Sequence, residues 1–220
     1  MKLHRANLAP VESPELLGEL HPLLEQLGSL EGLVTLDSMS ATLRLPRVGS
    51  HQELRAFLQS YQTSILLPVE LPAIYRAFIH ASRNEVRELI ALDLSIDGEP
   101  RLKDFASASR RVGQFQLRRL RPLRDQRLVQ RYLQAVDAGD AQGWHTMVYG
   151  VTLALYSLPL RQGLLNYGRQ TLRGFIQAAA TSLQISEEDS VELLDKISSP
   201  LPAAVETLLQ SGAISSPIGL

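Results

Sequence analysis

The sequence predicts an all-α fold, a single-domain orthogonal bundle of about eight to ten helices, a size at which one core can still be closed by 220 residues. Three observations carry this. Apolar residues recur at spacings of three and four along most of the chain. Strand signals are nearly absent: no run of four or more residues alternates cleanly, and no Asn-Gly or Asp-Gly pair joins two β-branched runs. Finally, the twenty residues between Asp140 and Arg161 carry no charge. Such a stretch makes roughly 30 Å of helix, enough to span a bilayer. Gln142, His145, Thr146, Thr152, Ser157, two glycines and Pro159 make a polar load that disfavours insertion, and no basic cluster fixes an orientation. A helix buried in the middle of the bundle, not a membrane span, is the reading favoured, with 141–183 forming a helical hairpin at the core.

In chain order, residues 1–13 lack periodicity and are expected to be flexible. Ser13-Pro14-Glu15 starts a helix over 14–27, with Leu16, Leu17, Leu20, Leu23, Leu24 and Leu27 as its apolar stripe and Gly28 as its stop. Residues 33–48 read as a partly helical connector. Ser50 and Glu53 have capping-box spacing, ahead of Leu54, Phe57, Leu58 and Tyr61 facing inward. After Pro68, Leu71, Ile74, Tyr75, Phe78 and Ile79 mark one helix and Val86, Leu89 and Ile90 a second, parted near Asn84. Leu102, Phe105, Val112, Leu117 and Leu120 mark the next; Pro122 resets the chain before Leu128, Val129, Tyr132, Leu133 and Val136. Residues 137–140 form the turn into the core. Pro159 sits at a first helical position before Leu160, Leu164, Leu165, Leu172, Phe175, Ile176 and Ala179, and Gly168, Gly174 and Ala178 to Ala180 permit close helix approach. Ser186 and the acids Glu187, Glu188 and Asp189 suit a helix start ahead of Val191, Leu194 and Ile197. A last helix runs from Ser199-Pro200 through Leu209. The domain is therefore 14–211, with 212–220 a flexible tail.

Several chemistries are excluded by composition. Without cysteine there are no disulfides, thiolate ligands or thiol nucleophiles. The five histidines are far apart and have no metal-ligand spacing, and neither a G-x-G phosphate loop nor a G-x-S-x-G elbow occurs. No catalytic residue, metal site or cofactor is expected. The first residues, MKLHRANLAP, lack the apolar core of a secretion signal, so a cytoplasmic location is expected. Trp144 and His145 read as core residues. Residues 101–131 hold ten Lys and Arg against Asp104 and Asp125, a net +8 in a chain of total charge −1. The arginines Arg110, Arg111, Arg118, Arg119, Arg121, Arg124, Arg127 and Arg131 form either a solvated, internally paired face or a dock for an acidic protein partner. A nucleic-acid site lacks interleaved aromatics and any known module, and the acidic remainder of the chain repels phosphates.

Taken in order, several stretches resemble the urease accessory protein F family. Leu71-Pro72-Ala73 with Leu92-Asp93 is one, and Ser107 to Gly113 followed by Leu117 to Leu120 is another. The third comprises Trp144-His145 through Gly150, Leu158-Pro159-Leu160, Gly163 to Leu165, Tyr167 and Ala178-Ala179. Residues 33–44 keep two serines of the family's N-terminal motif, Ser38 and Ser40, but lack its proline and glycines, and the family's charged C-terminal tail has no counterpart in Ser215 to Leu220. The resemblance implies a non-catalytic homodimeric scaffold that joins other urease accessory proteins and a nickel-carrying GTPase, modulates GTP hydrolysis and helps deliver nickel to apo-urease. The charge of the basic segment makes Arg110, Arg111, Arg118, Arg121 and Arg124 candidate partner contacts, Ser38 and Ser40 are added as candidates, and Gly113, His145, Gly150, Pro159, Tyr167 and Ala179 are read as core or family-pattern positions. Without its tail, the chain is expected to bind a standard accessory partner weakly. Two alternatives remain beside it: a helical interaction or small-apolar-ligand protein with no urease role, and an enzyme whose residues the sequence does not reveal.

Overall fold

In the computed structural model, which describes residues 30–214, the periodic stretches form ten α-helices, one π-helix and one 3-10 helix, with no strand among the described residues. The segments expected as flexible at 1–13 and helical at 14–27 lie outside the described residues, as do 215–220. Local chemistry sets most boundaries. Ser50, in extended backbone, accepts the Glu53 amide at 3.2 Å, while the Glu53 carboxylate accepts the Gly49 amide and the Ser50 hydroxyl, each at 2.9 Å. This closes the capping box that starts helix His51–Tyr61, whose Leu54, Phe57, Leu58 and Tyr61 are fully buried. Asn84 takes a left-handed turn (φ 57°) between helices Leu71–Ser82 and Val86–Asp97. Gly139 does the same (φ 83°) at the end of Arg127–Ala138, and Ser186 caps Glu187–Ser198 by accepting the Asp189 amide at 3.0 Å.

The partly helical connector expected at 33–48 is the helix Leu30–Thr42 followed by non-helical backbone to Gly49, with Leu36 and Met39 turned into the core. At three other places the structure departs from the sequence expectation. Between Tyr61 and Leu71 the chain forms a π-helix, Gln62–Glu70, in which the Leu71 amide reaches back to the Leu66 carbonyl. Pro68 lacks the N–H that an α-helical ladder needs there, and the wider coil accommodates it. The arginine-bearing segment splits into a 3-10 turn, Pro100–Phe105, and the helix Ala106–Arg119. The last helix, Leu201–Ile214, continues past Leu209, with Gly212 so close to Tyr75 that a Cβ would lie 2.3 Å from its ring.

The uncharged stretch is the centre of the bundle. Residues 145–153 of the helix His145–Leu155 are all buried, and exposure returns by Ser157. Its main partner is Leu71–Ser82, followed by Ala106–Arg119, while the next helix, Leu160–Leu183, packs against it far less. The two are consecutive without forming a tightly paired hairpin. Close approach is possible because Gly150 has no side chain: a Cβ there would lie 2.6 Å from the Ile74 carbonyl and 2.8 Å from the Ala77 methyl. Leu160–Leu183 spans the other side and packs on Glu187–Ser198, Leu30–Thr42 and Leu201–Ile214. Phe175 on this helix packs edge-on against Phe57 and Tyr61, at 5.1 and 4.9 Å between ring centroids. No helix among the described residues is long and apolar enough to cross a membrane.

Candidate docking face and buried acid cluster

The helix Ala106–Arg119 has two faces of different character. Its inner face, Ala108, Ser109, Val112, Gly113 and Leu117, is buried. Gly113 lies under the loop that enters the central helix, and a Cβ on it would sit 2.2 Å from the Gly143 carbonyl and 2.6 Å from the His145 amide. The Ser109 hydroxyl accepts that same His145 amide at 3.2 Å. From the opposite side, Asp93 receives the backbone amides of Gln142, Gly143 and Trp144, the last two at 3.0 and 3.1 Å. Burial pushes the Asp93 carboxyl up, and these amides with the Tyr132 phenol pull it back. Leu92-Asp93, Ser109, Gly113 and Trp144-His145, far apart in sequence, are thus one structural unit that holds the start of the central helix.

Arg110 belongs to that unit too. Its guanidinium pairs with Asp97 and lies 5.3 Å from the centroid of the Trp144 ring, whose indole N–H donates to the same carboxylate at 3.3 Å. Of the arginines expected at a partner surface, this one is tied inward. Ser40 is likewise buried, its hydroxyl donating to the Leu36 carbonyl at 2.9 Å, which leaves Ser38 as the partly exposed serine of the pair.

The outer face carries Arg111, Phe115, Arg118 and Arg119, all exposed, and continues into Arg121, Arg124, Arg127 and Arg131. Arg121 meets Asp137 at 2.9 Å and Arg118 approaches the same carboxylate at 3.8 Å, so one acid serves two guanidiniums. Phe115 is 60% exposed in the middle of this basic surface. The sequence reading passed over it because it lies off the apolar stripe of its helix. A large apolar side chain at an off-stripe position among arginines was the available signal.

A second polar centre escaped the sequence reading. Glu70, at the end of the π-helix, is 1% exposed and accepts the hydroxyls of Tyr61 and of Tyr167, the latter at 2.9 Å. Burial raises its carboxyl to about 7 against the pull of these two bonds. Burial, then the Glu70 charge, also keeps both tyrosines protonated. Tyr167 carries the cluster to the central helix: the His145 ring stacks on it at 5.8 Å and 29°, and Tyr149 lies 5.5 Å away with its hydroxyl donating to the Gly163 carbonyl at 3.0 Å. Ala179 is buried further along the same helix, and Pro159 sits exposed just ahead of its first turn. The only signal for Glu70 in the sequence is a lone acid in the apolar run from Ile65 to Ile74.

Among the described residues no group of three or more histidine or acidic side chains is placed to hold a metal ion. The surrounding chemistry is that of helix-to-helix ties, with the arginine surface as the feature that faces outward. No curated protein matches the chain. The profile of the UreF family matches it over residues 48–197, well over half its length, and this span contains both the unit built on Asp93 and Gly113 and the acid cluster. The chain belongs to the UreF family of urease accessory proteins.

Proposed function

We propose that this protein is a non-catalytic scaffold of urease maturation. It acts in the cytoplasm as a homodimer that joins a second accessory protein and a nickel-carrying GTPase, modulates GTP hydrolysis and helps deliver nickel, as cargo, to apo-urease. Family membership supports the accessory role. The observation that supports docking is the exposed arginine surface: Arg118 and Arg121 share one carboxylate, and Arg111 and Arg124 stand exposed beside them. Guanidinium forks match carboxylates of an acidic partner, and such surfaces act on association rate and specificity more than on fold stability.

The test reverses Arg118, Arg121 and Arg124 to Glu. Exposed ion pairs each contribute about 0–1 kcal/mol to stability, so the triple variant folds. Its binding to an accessory partner should fall at least about tenfold at low salt, with the difference shrinking as salt screens the charges. Pull-downs insensitive to the reversals and to salt would overturn the assignment of this surface.

A further inference from the structure

A cavity of about 840 Å³ opens beside the arginine surface. One wall is the turn from Asp97 to Lys103, and the other is a face of the helix Ala106–Arg119 on which Ser107, Arg110, Arg111 and Gln114 recur at helical spacing. Arg111 lines the cavity and also stands on the outer face, so the cavity and the arginine surface are continuous. Both acids of the cavity are spent in fixing its walls. Glu99 takes two N–H groups of Arg101 at 2.7 and 2.9 Å, and the same guanidinium donates to the Ser64 carbonyl of the π-helix at 2.9 Å. Asp97 takes Arg110 and the Trp144 indole. Asp104, which follows Lys103 in the chain, accepts the Thr42 hydroxyl. Lys103 and Ser107 are left over: both are exposed, and among the described residues the lysine makes no ion pair and the serine hydroxyl no hydrogen bond. Arg111 already has an interaction of its own, so Lys103 carries the charge that remains for an incoming group. Gln114 donates its amide to the Gln142 carbonyl at 2.8 Å, which leaves its side-chain oxygen as an acceptor.

We propose that this cavity anchors the second accessory protein: an acidic loop of that partner enters it, sets a carboxylate against Lys103 and meets the Ser107 hydroxyl and the Gln114 side-chain oxygen with its backbone. This rests on the arginine surface being a docking surface, and it assigns the point that fixes the partner's position there. An acidic loop fits because the acids of the cavity are already neutralised by arginines while Lys103 is not, and because the volume holds several side chains instead of one. Partners are held mainly by a few groups seated in well-formed pockets, whereas exposed charges around them act on encounter and orientation. The walls are tied in advance by the Glu99–Arg101 and Asp97–Arg110 pairs, so seating the loop orders little of this chain. Arg118 and Arg121, which share Asp137, then steer the approach, and Lys103, Ser107 and Gln114 select what is held.

The test titrates the purified second accessory protein, up to about 100 μM, into the full chain and its variants at low and high salt. Ser107→Trp fills the cavity without altering a charge and should weaken binding at least about tenfold at both salt concentrations. Lys103→Glu, on an exposed turn, should weaken it by a similar factor at low salt and less at high salt, and it covers the case of a tryptophan variant that fails to fold by circular dichroism. Because the chain has no cysteine, Ser107→Cys supplies a single thiol at the cavity. Saturating partner should slow its alkylation at least about tenfold, a change that a merely structural role for Ser107 does not produce. If the triple reversal of Arg118, Arg121 and Arg124 weakens binding while Ser107→Trp and Lys103→Glu do not and the thiol stays open in the complex, this proposal is overturned and the arginine surface stands. If the cavity variants weaken binding and the triple reversal does not, the cavity stands and the arginine surface is overturned. A partner that does not bind the unmodified chain at all overturns both.

Discussion

Replacing Glu70 with glutamine should remove a pH dependence of stability that the unmodified chain shows near neutrality. The Glu70 carboxyl ionises at about 7 in the fold against 4.5 when unperturbed, because burial penalises its charge more than the Tyr61 and Tyr167 hydroxyls compensate. A carboxyl whose folded value is raised makes the folded state the better proton binder. Its contribution to stability is full below pH 4.5, declines as pH rises through 7, and is lost above that. At about 1.4 kcal/mol per unit the whole loss is roughly 3 kcal/mol, or about 6–12 °C of melting temperature for a domain of this size. Glutamine mimics the protonated acid: its carbonyl accepts one tyrosine hydroxyl and its amide donates to the other. The assay is urea unfolding of both chains from pH 5 to pH 8.5. The two should be nearly equal at pH 5, and the glutamine chain should be the more stable at pH 8.5. Asp93, also raised by burial, adds its own decline, so the difference between the chains isolates Glu70. Parallel curves across that range would refute a buried, titrating Glu70.

Two further substitutions probe the centre of the bundle. Gly150→Asp puts a Cβ within 2.6 Å of the Ile74 carbonyl and a charge in a fully buried helix, and should destabilise by more than about 4 kcal/mol or abolish folding. An unchanged melting temperature would count against that burial. Asp93→Ala strips the acceptor from the amides of Gln142, Gly143 and Trp144 and should cost about 3 kcal/mol or more in urea unfolding, with Asp93→Asn recovering part; a loss under about 1 kcal/mol would show that the loop does not depend on this cap.

The resemblance read from the sequence was carried by residues whose roles prove to be architectural. Ser109, Gly113, Asp93 and Trp144 are neighbours around one loop, and Arg110 is drawn into it by Asp97. Spacing alone shows that Arg110 and Arg111 are adjacent cations; it does not show that the roughly 100° step between them puts one on an indole and leaves the other exposed. The same holds for Val191. A period of three and four places it with Leu194 and Ile197, but the neighbouring helices cover only part of that stripe.

What the sequence determined by itself is the part of the structure set within a few residues. The Ser50 and Ser186 caps, the turns at Asn84 and Gly139 and the charge-free central helix depend on interactions reaching three or four positions, and such periods and caps are legible one after another. Tertiary structure decided what meets across long separations. Asp93 caps a loop 50 residues away, and Tyr167 donates to a carboxylate 97 residues away. The central helix also chose Leu71–Ser82 over its neighbour in sequence, because Gly150 lets that backbone approach. Whether a lone glutamate or an off-stripe phenylalanine is buried or exposed follows from which helices pack around it, and that is a property of the assembled bundle.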